Sequence, residues 1–178
     1  MKDSERDFLF KQMKYVSCDG IVVEVGSYLG DSSSRAISEG LIKYNKNAKF
    51  YCVDTFVESF FENQPELMAK HKKKYGDKKV YDIFVENMKN YRHEVVLKDS
   101  IEAAKDFKNE SVDFVFIDAV HTYESVVEDI KAWFPKVKIG GMICGHDYGK
   151  KQFGVTRAVN EFFKDVGCKS SIWNTKKQ

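Results

Sequence analysis

Short β-branched or aromatic runs alternate with longer stretches of helical spacing along this chain. Residues 20–25 form a compact apolar run ended by Gly26, and 49–53 form a second, halted at Asp54 and Thr55. Residues 93–97, 112–117 and 141–144 read as three further strands, and 170–173 as a weak terminal one. The 112–117 run is almost wholly apolar, as expected of a strand covered on both faces. Between the runs, 31–44 carries Ala36, Ile37, Leu41 and Ile42 at helical spacing, with Asp31 and Ser32 as caps. Helices are also predicted over 80–91, where Tyr81, Phe84, Val85 and Met88 share a face, and over 102–107. The stretch 124–137 is a helix running into Pro135, with Trp133 on its packing stripe, and 155–166 is the last strong helix, with Phe162 and Phe163 in its core.

Five strand–helix alternations predict an α/β fold, a doubly wound and mostly parallel sheet with helices on both faces. Ligands of such sheets bind beyond the carboxyl ends of the strands, near the switch in strand order. The functional expectation therefore falls on Gly26, Ser27 and Tyr28, on Asp54 and Thr55, on Asp99 and Ser100, on 118–121, and on His146, Asp147 and Tyr148. Four of these five segments carry an acid, and Glu24 stands two residues before the other. Segment 56–79 interrupts the alternation; it holds Phe56, Phe60, Phe61, one proline, and six lysines from Lys70 to Lys79. It is read as a lid or acceptor-binding insertion, against the plainer reading of a solvated helix with a lysine face.

The 178 residues suit one domain, which at this length buries roughly 70% of the surface of its unfolded chain. A charge of +2 argues against a general nucleic-acid coat. No apolar run approaches the ~20 residues of a membrane span, and the first residues lack the apolar core of a signal peptide. Cys18, Cys52, Cys144 and Cys168 show no metal spacing and read as reduced, mostly buried thiols of a cytoplasmic chain.

The segment from Glu24 to Gly30 is a glycine turn between a strand and a helix. Glycine lets the backbone approach a ligand, and the helix N-terminus offers unpaired N–H groups. It is not the dinucleotide fingerprint, because Tyr28 stands where a middle glycine belongs and would crowd a pyrophosphate. A ligand bearing a carboxylate and an amine fits better, with Glu24 available to the amine. Asp54 is placed to accept from both hydroxyls of a ribose. Asp99 and Ser100 can offer an acceptor and a donor to an adenine edge, or simply cap a helix.

EVGSYLGDSS, CVDTF, LKDSIEAA, the block from Asp118 to Tyr148 and GVTRAVNEF together resemble the class I S-adenosylmethionine-dependent methyltransferases. The likeness is to the small-molecule and sugar O-methyltransferase group, macrocin O-methyltransferase-like, and covers about 20–163. The resemblance implies a Rossmann-like domain that binds S-adenosylmethionine. Glu24, Gly26, Ser27 and Gly30 would hold the methionine end, with Tyr28, Ser32 and Thr55 alongside. Asp54 would take the ribose, Asp99 and Ser100 the adenine end, and Asp118 would sit beneath the sulfonium.

In metal-dependent members of that group the matching ligand positions are Asp118, His146 and Asp147. His146 departs from the usual acid pair and tilts the set from Mg²⁺ toward Mn²⁺ or Zn²⁺, or toward no metal. Methyl transfer to oxygen also requires the acceptor hydroxyl to lose its proton, by a metal or by His121 or His146 as base, with Asp147 directly involved. His121 could instead cap the helix that starts near Glu124. The expected acceptor is a small molecule such as a sugar, with a homodimer as a further expectation. The alternatives are a nicotinamide-dependent oxidoreductase on a similar sheet and a non-catalytic nucleoside-binding module. Nucleic-acid methylation lacks its Asn/Asp-Pro-Pro-aromatic tetrad.

Overall fold

The computed structural model describes residues 1–57, 65–151 and 154–178. Helix α1 (Asp3–Gln12) precedes β1 (Ile21–Val25), α2 (Ser33–Lys43) and β2 (Lys49–Val53). Then come α3 (Pro65–Tyr75), α4 (Val80–Met88), β3 (Glu94–Val96), α5 (Ser100–Ala104) and β4 (Val112–Ile117). The chain ends with α6 (Tyr123–Trp133), β5 (Val137–Gly145), α7 (Val155–Phe162), β6 (Gly167–Lys169) and β7 (Ile172–Lys176). The strands form one sheet in the order β3-β2-β1-β4-β5-β7-β6. The first five are parallel, and β7 runs antiparallel to both β5 and β6. The strand order reverses between β1 and β4, which makes their carboxyl ends the ligand-binding edge of a doubly wound sheet.

Period-two alternation sends successive side chains of each strand into opposite cores. Val22, Phe50, Phe114 and Phe116 pack with Leu9, Met13, Ile37, Phe84 and Met88 under α1, α2 and α4. Val23, Val53, Val115 and Ile117 pack with Ala103, Ile130, Trp133 and Val159 under α5, α6 and α7. Glu24 lies between Val23 and Val25, so its side chain points to the face that α2 covers.

Several elements depart from the sequence expectation. Helix α1 carries only one fully buried apolar side chain, Leu9, so its periodicity is weak. It nonetheless approaches α2 closely at Gly40, where an added Cβ would lie 2.5 Å from the Phe10 carbonyl oxygen. Strand β5 begins four residues before the predicted 141–144 run, and its early part is masked in the sequence by Gly140 and Gly141. Helix α6 stops at Trp133, and Pro135 sits in a 3-10 turn, because proline cannot donate to the helical ladder.

The tail forms a two-strand hairpin turning at Ser170, not one strand. Helix α7 ends at Phe162, which is 38% exposed; the chain then extends and Phe163 takes the core position, stacked on Trp173 at 5.9 Å. Cys52 and Cys144 are buried as expected, but Cys18 and Cys168 are exposed, one in the turn before β1 and one on the edge strand β6. Within 56–79, Phe56 is buried against Tyr81 and Phe84. Phe60 and Phe61 lie outside the described residues.

Candidate active site

The residue after each of β1, β2, β4 and β5 continues the sheet's hydrogen-bond ladder by one step. Gly26 donates its N–H to Val53 (2.9 Å), Asp54 to Val96 (3.2 Å), Asp118 to Val25 (2.8 Å) and His146 to Ile117 (3.0 Å). The predicted site residues are thus fixed to the rigid sheet at one edge. Four of the loops that follow, after β1, β2, β3 and β4, enclose a cavity of about 730 Å³, within the range of small-molecule sites. Its wall includes Gly26, Ser27, Tyr28, Gly30 and Ser32, then Asp54 and Thr55, then Asp99 and Ser100, then Asp118 and His121.

The glycine turn is built as tightly as its sequence suggests. Gly26 has φ +88°, and a Cβ there would lie 2.4 Å from the Asp118 carbonyl oxygen, so β1 and β4 can meet only over a glycine. Tyr28, at the position where the dinucleotide fingerprint has glycine, keeps a glycine-like φ of 46°. Phe56 is left-handed too, at 50°. Asp54 holds both: its Oδ2 accepts from the Tyr28 N–H at 2.8 Å and its Oδ1 from the Phe56 N–H at 2.7 Å. The left-handed region costs bulky residues energy, and these charge-assisted bonds offset it. Each Asp54 oxygen keeps a second lone pair for a ligand hydroxyl.

Glu24 is wholly buried behind the turn and does not line the cavity. It accepts from the Ser34 hydroxyl of α2. Burial pushes its carboxyl up to about 7 against the opposing hydrogen bonds of Ser33, Ser34 and Ser27. Any contribution to a ligand's amine runs through the turn it braces.

At the far end of the cavity Asp99 caps α5, its Oδ1 accepting from the Ile101 N–H at 2.9 Å. The Ser100 hydroxyl turns inward: it donates to Asp129 and accepts from Trp133 Nε1 at 2.9 Å. The hydroxyl proton is thus committed, and the donor left to Ser100 for an adenine edge is its backbone N–H. Asp129, which the sequence reading missed, is buried and lines the cavity. Burial pushes its carboxyl up to about 6, with the Ser100 bond opposing. Its signal was an acid on the inward stripe of Val126, Ile130 and Trp133. Trp133 itself is core, as predicted.

The strongest concentration of chemistry lies where β4 and β5 end. His121 Nε2 is 2.9 Å from Asp147 Oδ2 and 3.3 Å from Asp118 Oδ1. His146 Nδ1 is 2.8 Å from Asp147 Oδ1 and 3.6 Å from Asp118 Oδ1. Lys150 also pairs with Asp147 Oδ1. On its other side His146 Nε2 faces Glu5 Oε2 at 3.3 Å. Neither Lys150 nor Glu5 was singled out from the sequence. Helix α6 is capped by Thr122, whose Oγ1 accepts from the Ser125 N–H at 3.2 Å, so His121 is not its cap.

Burial alone would lower the His121 imidazole, but its bonds to Asp118 and Asp147 win and push it up to about 9. Burial likewise opposes, and the Asp147 bond outweighs it, in raising His146. Burial would raise Asp147, yet His121, His146 and Lys150 hold it well below the usual carboxylate range. Ligand atoms of Asp118, His121 and Asp147 all lie within 4.8 Å of one another, a donor set that can hold a divalent ion. His121 takes the place in this set that the sequence reading gave to His146.

A family model for a methyltransferase domain matches residues 23–148, from β1 through the Asp147 turn. The chain belongs to this methyltransferase family. The methyltransferase is 25% identical over 146 residues to the uncharacterized protein R132 of Acanthamoeba polyphaga mimivirus, across 81% of this chain and 59% of that protein. It therefore spans about three fifths of this curated relative's length.

Three solved structures share its fold. The O-methyltransferase NovP is 15% identical with TM-score 0.68, covering 98% of this chain and 79% of its own. The O-methyltransferase from Bacillus cereus in complex with SAH is 17% identical with TM-score 0.63, covering 99% and 82%. CalS11, a TDP-rhamnose 3'-O-methyltransferase of calicheamicin biosynthesis, is 15% identical with TM-score 0.59, covering 97% and 76%. At these identities the likeness carries the methyltransferase fold. No helix among the described residues is long and apolar enough to cross a membrane.

Proposed function

We propose that the chain transfers the methyl group of S-adenosylmethionine to a hydroxyl of a small molecule, of which a sugar is the favoured class. The observation that carries this reading is that Asp118 and His121, with Asp147 behind them, stand beside the glycine turn and Asp54 in the wall of one cavity. The donor set fits the cofactor: backbone N–H groups at the turn for a carboxylate, paired oxygens of Asp54 for a diol, and Asp99 for an exocyclic amine. The names of the structural neighbours point the same way, since three are O-methyltransferases and one of these acts on a nucleotide-linked sugar.

When bound, the cofactor supplies an electrophilic methyl on a sulfonium. The chain's task is to align the acceptor oxygen with that carbon and to take the hydroxyl proton. His121 lines the cavity and His146 does not, so His121 is the base, oriented by Asp147 and Asp118. With its imidazole near 9, His121 must first shed a proton to the solvent, which makes the reaction faster in alkaline buffer. Asp118, His121 and Asp147 also suit Mn²⁺ or Zn²⁺ better than Mg²⁺, because one of the three ligands is nitrogen. Such an ion would acidify a bound hydroxyl and compete with Lys150 for Asp147.

The test is transfer of radiolabelled methyl to a panel of hydroxylated small molecules, nucleotide sugars included, with and without EDTA. Asp147→Ala is expected to abolish transfer while S-adenosylhomocysteine binds within about threefold of wild type. Undiminished turnover in that variant sinks the assignment.

A further inference from the structure

Outside the region the family model matches, one titratable side chain is buried within reach of the site. Glu5, on the first turn of α1, is 1% exposed. Its Oε2 accepts from the Lys2 backbone N–H at 2.7 Å, and its Oε1 accepts from the Ser171 N–H at 3.1 Å and the Ser171 hydroxyl at 2.7 Å. The same Oε2 faces His146 Nε2 at 3.3 Å, and Ser171 Oγ is 3.2 Å from that nitrogen. Ser171 lies in the turn between β6 and β7. Two segments remote from His146 in sequence, α1 and the terminal hairpin, therefore converge on one imidazole edge.

The chemistry of these partners fixes the ring. A carboxylate oxygen only accepts, so the nitrogen facing it carries a proton. Ser171 has given its hydroxyl proton to Glu5, so its oxygen also presents a lone pair to Nε2. Both neighbours require Nε2–H, and by the same rule Nδ1, 2.8 Å from Asp147 Oδ1, also faces an acceptor, so the ring is held from both edges. We infer that Glu5 is a positioning residue, which through Nε2 fixes the ring orientation of His146 so that Nδ1 faces the Asp118–Asp147 cluster. Helix α1 and the terminal hairpin thereby become part of the site's support rather than peripheral packing. The effect on turnover rests on the methyltransferase reading above; the ring orientation does not.

The experiment uses the full chain and two readouts. Long-range ¹⁵N–¹H correlation of the imidazoles, with His146 assigned by its loss in His146→Gln, is expected to show Nε2 protonated and protected from exchange. Glu5→Ala should remove that protection and lower kcat about 10- to 100-fold, the usual cost of losing a group that orients a site histidine, with the affinity for S-adenosylhomocysteine unchanged. Glu5→Gln keeps an acceptor and should recover part of both. Leu9→Ala is the control: it loosens α1 through an apolar core side chain that offers His146 no hydrogen bond, so stability should fall while the Nε2 signal and kcat per folded molecule stay.

If Glu5→Ala merely destabilises like Leu9→Ala and leaves the Nε2 signal intact, the inference is overturned. If wild type transfers no methyl group, the functional proposal fails, and the imidazole spectrum of Glu5→Ala still decides the positioning role.

Discussion

Asp54 gives the sharpest separation between a residue that only binds a ligand and one that also builds the turn. Its two oxygens hold the N–H groups of Tyr28 and Phe56 at 2.8 and 2.7 Å, and both residues sit at positive φ. A hydrogen bond to a charged group is worth about 1.5–3 kcal/mol. Removing both with Asp54→Ala has a ceiling of about 3–6 kcal/mol by that rule, but the side chain is only half-buried and the freed N–H groups can reach water. A loss of about 1.5–3 kcal/mol of stability is therefore expected, and about half that for Asp54→Asn, which keeps one acceptor.

Ribose recognition adds a separate loss. Two hydroxyl bonds to a carboxylate have the same ceiling of about 3–6 kcal/mol, and in this half-exposed setting about half of it, roughly 1.5–3 kcal/mol of binding, is expected, or roughly 10- to 150-fold in the affinity for S-adenosylhomocysteine. Urea denaturation and calorimetric titration of the two variants measure the terms independently. An Asp54→Ala protein with wild-type midpoint and an affinity within threefold of wild type would refute both the turn and the ribose roles.

Three further expectations follow from single observations. Gly26→Ala forces a Cβ to 2.4 Å from the Asp118 carbonyl oxygen at φ +88°, and should cost about 2–4 kcal/mol in urea denaturation; a loss below 1 kcal/mol would contradict the close approach. With His121 near 9, only about 1% of it is unprotonated at pH 7, so kcat/KM should rise about tenfold from pH 7 to 8 and level off above 9; a flat profile excludes it as the base. Glu24 binds its proton more tightly folded than unfolded, so its contribution favours folding at low pH and is lost as pH rises from about 4.5 through about 7. The stability of Glu24→Gln relative to wild type should therefore improve by up to about 3 kcal/mol between pH 4.5 and 8, and a constant difference would place the charge elsewhere.

The strands β1, β2 and β4 were legible because burial on both faces leaves an almost continuous apolar run, interrupted internally only by Glu24 and Asp113. Elements that bury little were not. Strand β6 is wholly exposed and has no apolar pattern to read, and α1 hides its contribution in Leu9 and one acid. The strand-end rule located Asp54, Asp99, Asp118, His121, His146 and Asp147, since position after a strand is a local property. Partner choice is not local. That Ser100 turns to Asp129, that His121 pairs with Asp147, and that Glu5 reaches His146 all depend on which loops the sheet order stacks side by side. The glycine-like φ of Tyr28 was equally hidden, because tyrosine by itself argues against that conformation and only the Asp54 bonds explain it.

The central claim is that the cavity over the β1 and β4 ends holds S-adenosylmethionine. Thermal unfolding with S-adenosylhomocysteine, run beside NADH and with or without EDTA, tests it most directly. A ligand at 100 times its dissociation constant stabilises by about 2.7 kcal/mol, which for a chain of this size raises Tm by roughly 5–10 °C. The account predicts that shift with S-adenosylhomocysteine and none with NADH. No shift with S-adenosylhomocysteine, or a shift with NADH alone, would contradict it.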